Sequence, residues 1–390
     1  MRRIKRQNFR AFKLTALAIT LAVLCTCSAS SATNLRVSSA TEGDYISIQA
    51  AIDEAEAGDT IIVSPGTYVE NLKINKQVQI WSESGNPEDT VIRAADPTKS
   101  AVEISVDRAS FSGFAIEGSE KAGILLTGVK SCYINNNRVQ GAEYGILLKG
   151  SDSNTISNNL ITLDEKGIRL ESSNSNDIIG NTIAYNYGPG ISLEASSKNL
   201  IYNNYFKNAE NVDEKASNAE NLWQSPLKTK QNIVRGPYIG GNFWADLEGK
   251  GYSETGVDEN NNGICDTSYN ITGGGTDNYP LFPKVPNAVK ALESNLNASA
   301  YEQGLADMEK AISSKTTVNK TEEATGPAAE NATDENVTNE NAINENATNE
   351  NTTDKNATNE EGSGEKESPG PGFGIAGLTV GAAYFLRRNR

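Results

Sequence analysis

Gly123-Ile124-Leu125-Leu126, Gly145-Ile146-Leu147-Leu148, Gly167-Ile168-Arg169-Leu170 and Gly190-Ile191-Ser192-Leu193 are four copies of one segment. Their glycines stand 22, 22 and 23 residues apart. A fixed period of this size is the signature of stacked structural repeats. The second and fourth positions are always Ile and Leu, while the third changes from Leu to Arg to Ser. A strand alternates its faces with period two. Ile124, Ile146, Ile168 and Ile191 are therefore expected to point inward with their Leu partners, and the third position outward.

A second pattern follows in each copy. Ile134, Ile156, Ile178 and Ile201 are apolar, and three residues later come Asn137, Asn159, Asn181 and Asn204. Two residues further are Val139, Ile161, Ile183 and Phe206. Each copy thus holds at least two short apolar strands with an Asn at the bend between them. Asn tolerates unusual backbone angles and bonds neighbouring backbone groups. Stacked one per coil, these side chains are expected to form an internal ladder, each amide donating to the next carbonyl. A degenerate copy precedes the four: Ala101-Val102-Glu103-Ile104 matches the strand, but Phe114 stands where Asn is expected.

The copies carry no 3.6-residue stripe, and the spaced leucines of a leucine-rich repeat are absent. The remaining architecture is all-β, a parallel β-helix in which one coil is one rung. Each rung buries its apolar face only against its neighbours.

The chain of 390 residues has a net charge of -15 and no His. Strong acidity argues against nucleic acid as a partner. Without His there is no Ser-His-Asp or Cys-His catalysis and no His metal site. The basic start Met1-Arg2-Arg3-Ile4-Lys5-Arg6, the apolar run from Leu14 to Cys27 and the small residues after it have the order of a secretory signal peptide over 1–32. An uncleaved anchor is the alternative. Past that segment only Cys132 and Cys265 remain, read as two isolated thiols rather than a disulfide framework.

A solenoid end needs a cap, because its last rung exposes apolar side chains and strand edges. Ile48, Ala51, Ile52 and Ala55 are spaced for one face of a short helix that would serve. With the run Gly58 to Glu70, this stretch resembles the N-terminal cap and first rung of pectin-lyase-like β-helix proteins. The rungs resemble those of NosD-like proteins and of the carbohydrate-binding and sugar-hydrolase repeat family. The resemblance covers residues 41–283 and implies a right-handed parallel β-helix, here expected over 33–245.

Beyond the rungs, Gly240-Gly241-Asn242-Phe243-Trp244 and the following segment to 283 are similar to the C-terminal part of archaeal NosD-like surface proteins. Within it Asp258, Asn260, Asn262, Ile264 (through its carbonyl) and Asp266, with Gly263 for the turn, match the first nine positions of an EF-hand-type calcium loop. Tyr269 replaces the glutamate of the twelfth position, and Asp277 stands further on as its substitute. Calcium is the one cofactor these residues suggest. Residues 284–313 read as amphipathic helix, with Val289, Leu292, Leu296, Leu305, Met308 and Ile312 at three- and four-residue spacing.

Residues 314–368 are low in complexity, acidic and nearly free of large apolar residues, so they are expected to be disordered. Asn319, Asn331, Asn336, Asn346, Asn351 and Asn356 are N-glycosylation acceptors there, each followed two residues later by Thr. At 369–390 a polar spacer gives way to Pro371-Gly372-Phe373, a short apolar run and a basic end. This resembles the archaeal PGF-CTERM sorting signal, which implies an archaeosortase-type processing enzyme and a lipid anchor. A plain C-terminal membrane anchor is the alternative. Both place the solenoid outside the cell.

The expected function is a surface-anchored, non-enzymatic protein that binds glycan or cell-envelope polysaccharide. Two outward rows carry it: Leu125, Leu147, Arg169 and Ser192, then Thr127, Lys149, Glu171 and Glu194. Together they predict a long flat face suited to a linear polymer. The alternative is a glycoside hydrolase or polysaccharide lyase. Glu171 and Glu194 would be its carboxylates, about 4.8 Å apart at the backbone, with Asp164 and Arg169 near in sequence. A copper role by NosD analogy ranks lowest, since the only methionines are Met1 and Met308.

Overall fold

The computed structural model describes residues 32–323 apart from 41–42, 215–219, 272, 284–288 and 291–292. The signal segment up to residue 31, the sorting motif and all glycan acceptors except Asn319 lie outside the described residues. Asn319 falls on the helix Ala298–Glu323, which passes the boundary expected at 313.

The chain winds into a parallel β-helix of three sheets, with eight, seven and eight strands. One coil shows the plan. Tyr133–Asn135 lies in the first sheet, Arg138–Gln140 in the third, and Tyr144–Lys149 in the second, here called the front sheet. Successive coils pair in parallel and in the register of the repeat, with Ile124 opposite Ile146, Ile146 opposite Ile168, and Ile168 opposite Ile191. The inward Ile and Leu columns have no solvent exposure, and neither do Ile134, Ile156, Ile178 and Ile201. Each such side chain contributes about 1.5–3 kcal/mol of burial, but only when a neighbouring coil covers it.

The repeat glycine has a steric cause. A Cβ on Gly167 would stand 2.5 Å from the Gly190 carbonyl oxygen and 2.7 Å from Ile183 Cγ2. Gly145 would meet Ile161 Cγ2 at 2.6 Å in the same way. The chain turns from third sheet to front sheet here with no room for a side chain.

The expected asparagine ladder is present. Asn137 Nδ2 donates to Asn159 Oδ1 at 3.1 Å, and the chain of bonds continues through Asn181, Asn204 and Asn242 at 3.0 Å each. The left-handed residue at this bend is the one before the ladder Asn: Asn136, Asn158 and Asn203 have φ of 54°, 54° and 58°. Phe114 closes the ladder. Its N–H donates to Asn137 Oδ1 at 3.1 Å and its ring stacks on Phe111 with centroids 4.6 Å apart.

Two further ladders occupy the other corners. Asn154, Asn176, Asn199 and Asn221 link by amide bonds of 3.1, 3.1 and 3.0 Å. The third column runs Asp164, Asn186, Asn208, with Asn186 Nδ2 donating to Asn208 Oδ1 at 3.0 Å. The asparagines of each corner thus satisfy their buried amides along the solenoid axis.

Both ends are covered. Helix α1, Ile48–Glu54, buries Ile48, Ala51 and Ile52 over the first coil, and Ser47 caps it by accepting the Ala50 N–H at 3.2 Å. At the other end Trp244 stacks on Phe206 at 4.8 Å, and Tyr269 covers Trp244 at 4.8 Å. The C-terminal helical segment packs on the outside of the last coils. Glu293 accepts from Tyr205 Oη at 2.9 Å and from Lys207 Nζ at 2.5 Å, and Tyr301 stacks on Tyr187 at 5.4 Å. Cys132 and Cys265 are buried free thiols, as expected.

Candidate functional site

The outward face of the front sheet holds most of the residues singled out from the repeat. Glu171 and Glu194 are direct register partners, with Lys149 opposite Glu171 on the other side. Arg169 lies between the two carboxylates. Its Nε donates to Glu171 at 2.6 Å and its Nη2 to Glu194, while Nη1 reaches Ser192 Oγ at 3.4 Å. Lys149 Nζ stands 3.4 Å from the second Glu171 oxygen. Burial works to raise the Glu171 carboxyl, but the Arg169 and Lys149 charges outweigh it and hold the group below its ordinary value. Glu171 is therefore an ionised partner of two cations, which is a poor state for a general acid.

Asp164 does not join this group. It is wholly buried in the third ladder column, where its Oδ1 accepts the Ala142 N–H at 2.8 Å. Burial pushes its pKa well above the ordinary value, against the pull of the Ala142 and Gly141 N–H bonds. It stands in an asparagine's place and has no access to a substrate.

The long flat face is also corrected. Leu147 is 4% exposed, Ser192 1%, and the Arg169 side chain 12%. In place of a flat row there is a groove of about 500 Å³ over the N-terminal half of the front sheet. Lys73, Glu103, Leu125 and Leu147 lie in one register row beneath it, and Tyr144 stands at the edge where the strands begin. The loop before Ser100 lies along the same edge, held by Asn71, whose Nδ2 donates to the carbonyls of Asp96 (3.1 Å) and Ser100 (2.9 Å). The Arg169 guanidinium lies 5.8 Å from the Tyr144 ring centroid and ends the row beyond Leu147. Burial first, and then the Glu143 carboxylate, keep the Tyr144 phenol neutral.

Four lysines line this groove: Lys73, Lys99, Lys121 and Lys149. All four are exposed. Only Lys149 was singled out from the repeat. Lys73 and Lys99 come from earlier coils that break the period: Lys73 pairs with Glu103, 30 residues on, and Glu103 with Leu125, 22 residues on.

The calcium-type loop closes on itself. Asp258 accepts the N–H groups of Asn262 (2.9 Å) and Gly263 (2.8 Å), and Asn262 Oδ1 that of Ile264 (2.8 Å). Asp266 accepts from Glu259 N–H (2.8 Å) and Asn260 Nδ2 (3.2 Å). The donors are hard oxygens, but among the described residues no three acidic, Cys or His side chains gather around one point. Asp277 cannot complete the set. It is fully buried, and its carboxylate accepts from Asn242 N–H (2.7 Å), Trp244 Nε1 (2.9 Å) and Tyr279 N–H (3.0 Å). Its role is to close the first asparagine ladder at the last coil.

A family model described as periplasmic copper-binding protein (NosD) matches residues 52–249. A cell surface glycoprotein of Methanothermus fervidus is 36% identical over 104 residues, which is 26% of this chain. The match spans only 17% of that protein's length. Among solved structures, an alginate lyase from Paenibacillus sp. is similar at 17% identity and a TM-score of 0.40, covering 46% of this chain and 68% of that one. Pectate lyase Pel9A is similar at 15% identity and a TM-score of 0.41, covering 47% and 56%.

Proposed function

The chain belongs to the NosD family, and on that premise we propose that it is a surface-displayed glycan-binding protein rather than an enzyme. The observation that carries this reading is the groove on the front sheet, where Leu125 and the Tyr144 ring offer partly exposed apolar surface beside the polar side chains of Lys73 and Glu103. Aliphatic and aromatic surface next to polar groups is what a sugar ring needs from a binding site. Surface display is supported by the partial relative, itself a cell surface glycoprotein. The export signal, the glycan acceptors and the sorting motif in the sequence point the same way. In this reading they carry the solenoid out of the cell and hold it at the membrane.

Catalysis by Glu171 and Glu194 is disfavoured because Arg169 bonds both carboxylates. Copper, which the family description names, does not fit the donors present. The chain has no His, and its described thiols are buried, with burial raising both and Cys265 reaching about 12. Neutral buried thiols are poor ligands for a soft metal. Calcium belongs to this proposal as a weak ligand of the Asp258–Asp266 loop, since only two of its five donors are carboxylates.

A polysaccharide panel, read for both binding and depolymerisation with and without calcium, tests the proposal. The expected result is binding without cleavage, lost in Tyr144→Ala. Cleavage of any polymer that disappears in Glu171→Gln would overturn the non-enzymatic reading.

A further inference from the structure

Resting on surface display but not on the groove, we infer that Asn297 carries an N-linked glycan, at an acceptor outside the low-complexity tail. Asn297-Ala298-Ser299 has the acceptor spacing, and all three residues are exposed. The two ends of the Asn297 amide have separate tasks. Its Oδ1 accepts the Ala300 N–H at 3.0 Å and so caps the helix Ala298–Glu323. Its Nδ2, the atom that takes the sugar, makes no hydrogen bond among the described residues. The segment around it is pinned on both sides. Four residues earlier Glu293 bonds Tyr205 of the third sheet, and four residues later Tyr301 stacks on Tyr187. The glycan therefore stands outside the last coils, clear of the groove on the earlier coils of the front sheet. In the transfer, Nδ2 attacks C1 of an oligosaccharide carried on a membrane lipid phosphate. The N–C1 bond forms and the C1–O bond to phosphate breaks. The lipid phosphate leaves with the electron pair, and Nδ2 gives up one proton. The amide oxygen keeps its lone pairs, so the cap survives the modification.

The coils explain why the site lies here. No asparagine between residues 33 and 269 has Ser or Thr two positions later, although Asn is frequent there. The ladders are a cause. A ladder Asn of the first two columns stands two residues before an inward side chain: Asn154 before Ile156, Asn159 before Ile161, Asn176 before Ile178 and Asn181 before Ile183. Those four isoleucines have no solvent exposure, and a hydroxyl in their place would be buried at a cost. The period that builds the ladder thus bars the acceptor spacing from it. Beyond the coils Asn270-Ile271-Thr272 has the spacing, but Ile271 is 5% exposed. The folded chain does not offer that tripeptide to an enzyme. Asn297 is the first acceptor along the chain that the fold leaves open.

The test is glycopeptide mass spectrometry on the full-length protein recovered from the surface fraction of its own host. Trypsin releases residues 291–310 as one peptide, which holds Asn297 and no other acceptor. That peptide is expected to carry sugar mass on Asn297. Peptides from the coils, and the peptide 251–284 that holds Asn270, are expected to carry none. Ser299→Ala and Asn297→Asp are each expected to remove the sugar mass completely, while Ser299→Thr retains it. Ser299→Ala leaves the cap untouched and Asn297→Asp replaces its oxygen with another. An unchanged circular dichroism spectrum therefore separates loss of sugar from loss of fold. An unmodified 291–310 peptide in protein recovered at the surface would overturn the inference and leave surface display standing. Absence of the protein from the surface fraction would overturn both. Sugar mass on Asn270 or on a coil asparagine would overturn the argument that the fold selects Asn297.

Discussion

Asp164 stands one coil before Asn186 in the third ladder, and its backbone N–H donates to Asn186 Oδ1 at 3.1 Å while its own Oδ2 has no partner. In the other two ladders an amide nitrogen fills that place and makes the inter-coil bond. Only a protonated carboxyl can reproduce it, by donating its O–H. Because the native pKa is raised above the ordinary 3.8, the folded state binds the proton more tightly than the unfolded one. The stabilising contribution is complete below about pH 4 and is lost as pH rises above it. Asp164→Asn is therefore expected to gain about 1–3 kcal/mol at pH 7 and almost nothing at pH 3.5. Urea unfolding at the two pH values measures this, and a gain that ignores pH would contradict it.

The first ladder is expected to fail as a unit. Asn181 accepts from the Asn159 backbone and amide at 2.9 and 3.0 Å, and donates to Ile156 O and Asn204 Oδ1 at 2.8 and 3.0 Å. Asn181→Ala strands buried donors and acceptors on both neighbouring coils. A loss of about 3 kcal/mol or more follows, read as a lower denaturant midpoint. Asn137→Ala, near the end of the ladder, is expected to cost less.

Glu293 fastens the helical segment to the solenoid through Tyr205 and Lys207. The Lys207 side chain is only 9% exposed, and its remaining carboxylate, Glu254, is 3.9 Å away. Glu293→Gln leaves that ammonium under-compensated. Limited proteolysis is expected to cut before Ala298 sooner in this variant, while the β-helix itself stays resistant.

Calcium binding to the Asp258–Asp266 loop predicts a melting temperature that rises at millimolar calcium and falls with chelator. Asp258→Ala is expected to abolish the dependence. Indifference of the wild-type protein to chelator would remove calcium from the proposal.

How much of this was legible in the sequence depends on whether a feature obeys the period. The Ile, Leu and Asn137-type columns recur at 22 or 23 residues, so the core and one ladder could be read directly. The Asn154 column obeys the same spacing and was equally readable, but it sits in polar turns where Asn draws no notice. The third column was hidden because Ala142 and Asp164 precede its first Asn. The same substitution made Asp164 look like a surface acid. The groove was only half visible. Leu125, Leu147 and Lys149 lie in the regular coils, but Lys73 is brought beside them by a coil of 30 residues. No spacing argument places Lys99, which lies in the loop that Asn71 folds over the strand edge.

The three ladders have a consequence for the length of the molecule. Each asparagine amide nitrogen gives to the next asparagine oxygen and to a carbonyl of the coil before, its oxygen takes from the coil before, and nothing in these bonds records its position along the axis. A coil such as 167–189, with Asn176, Asn181 and Asn186 at its three corners, is thus a translational unit, with the same socket above as plug below. Removing or duplicating it in one piece leaves every corner bond closed, whereas removing half of it breaks all three columns at once. The chain has the growth rule of a one-dimensional crystal, in which the number of layers is free and only the faces at its two ends are specified.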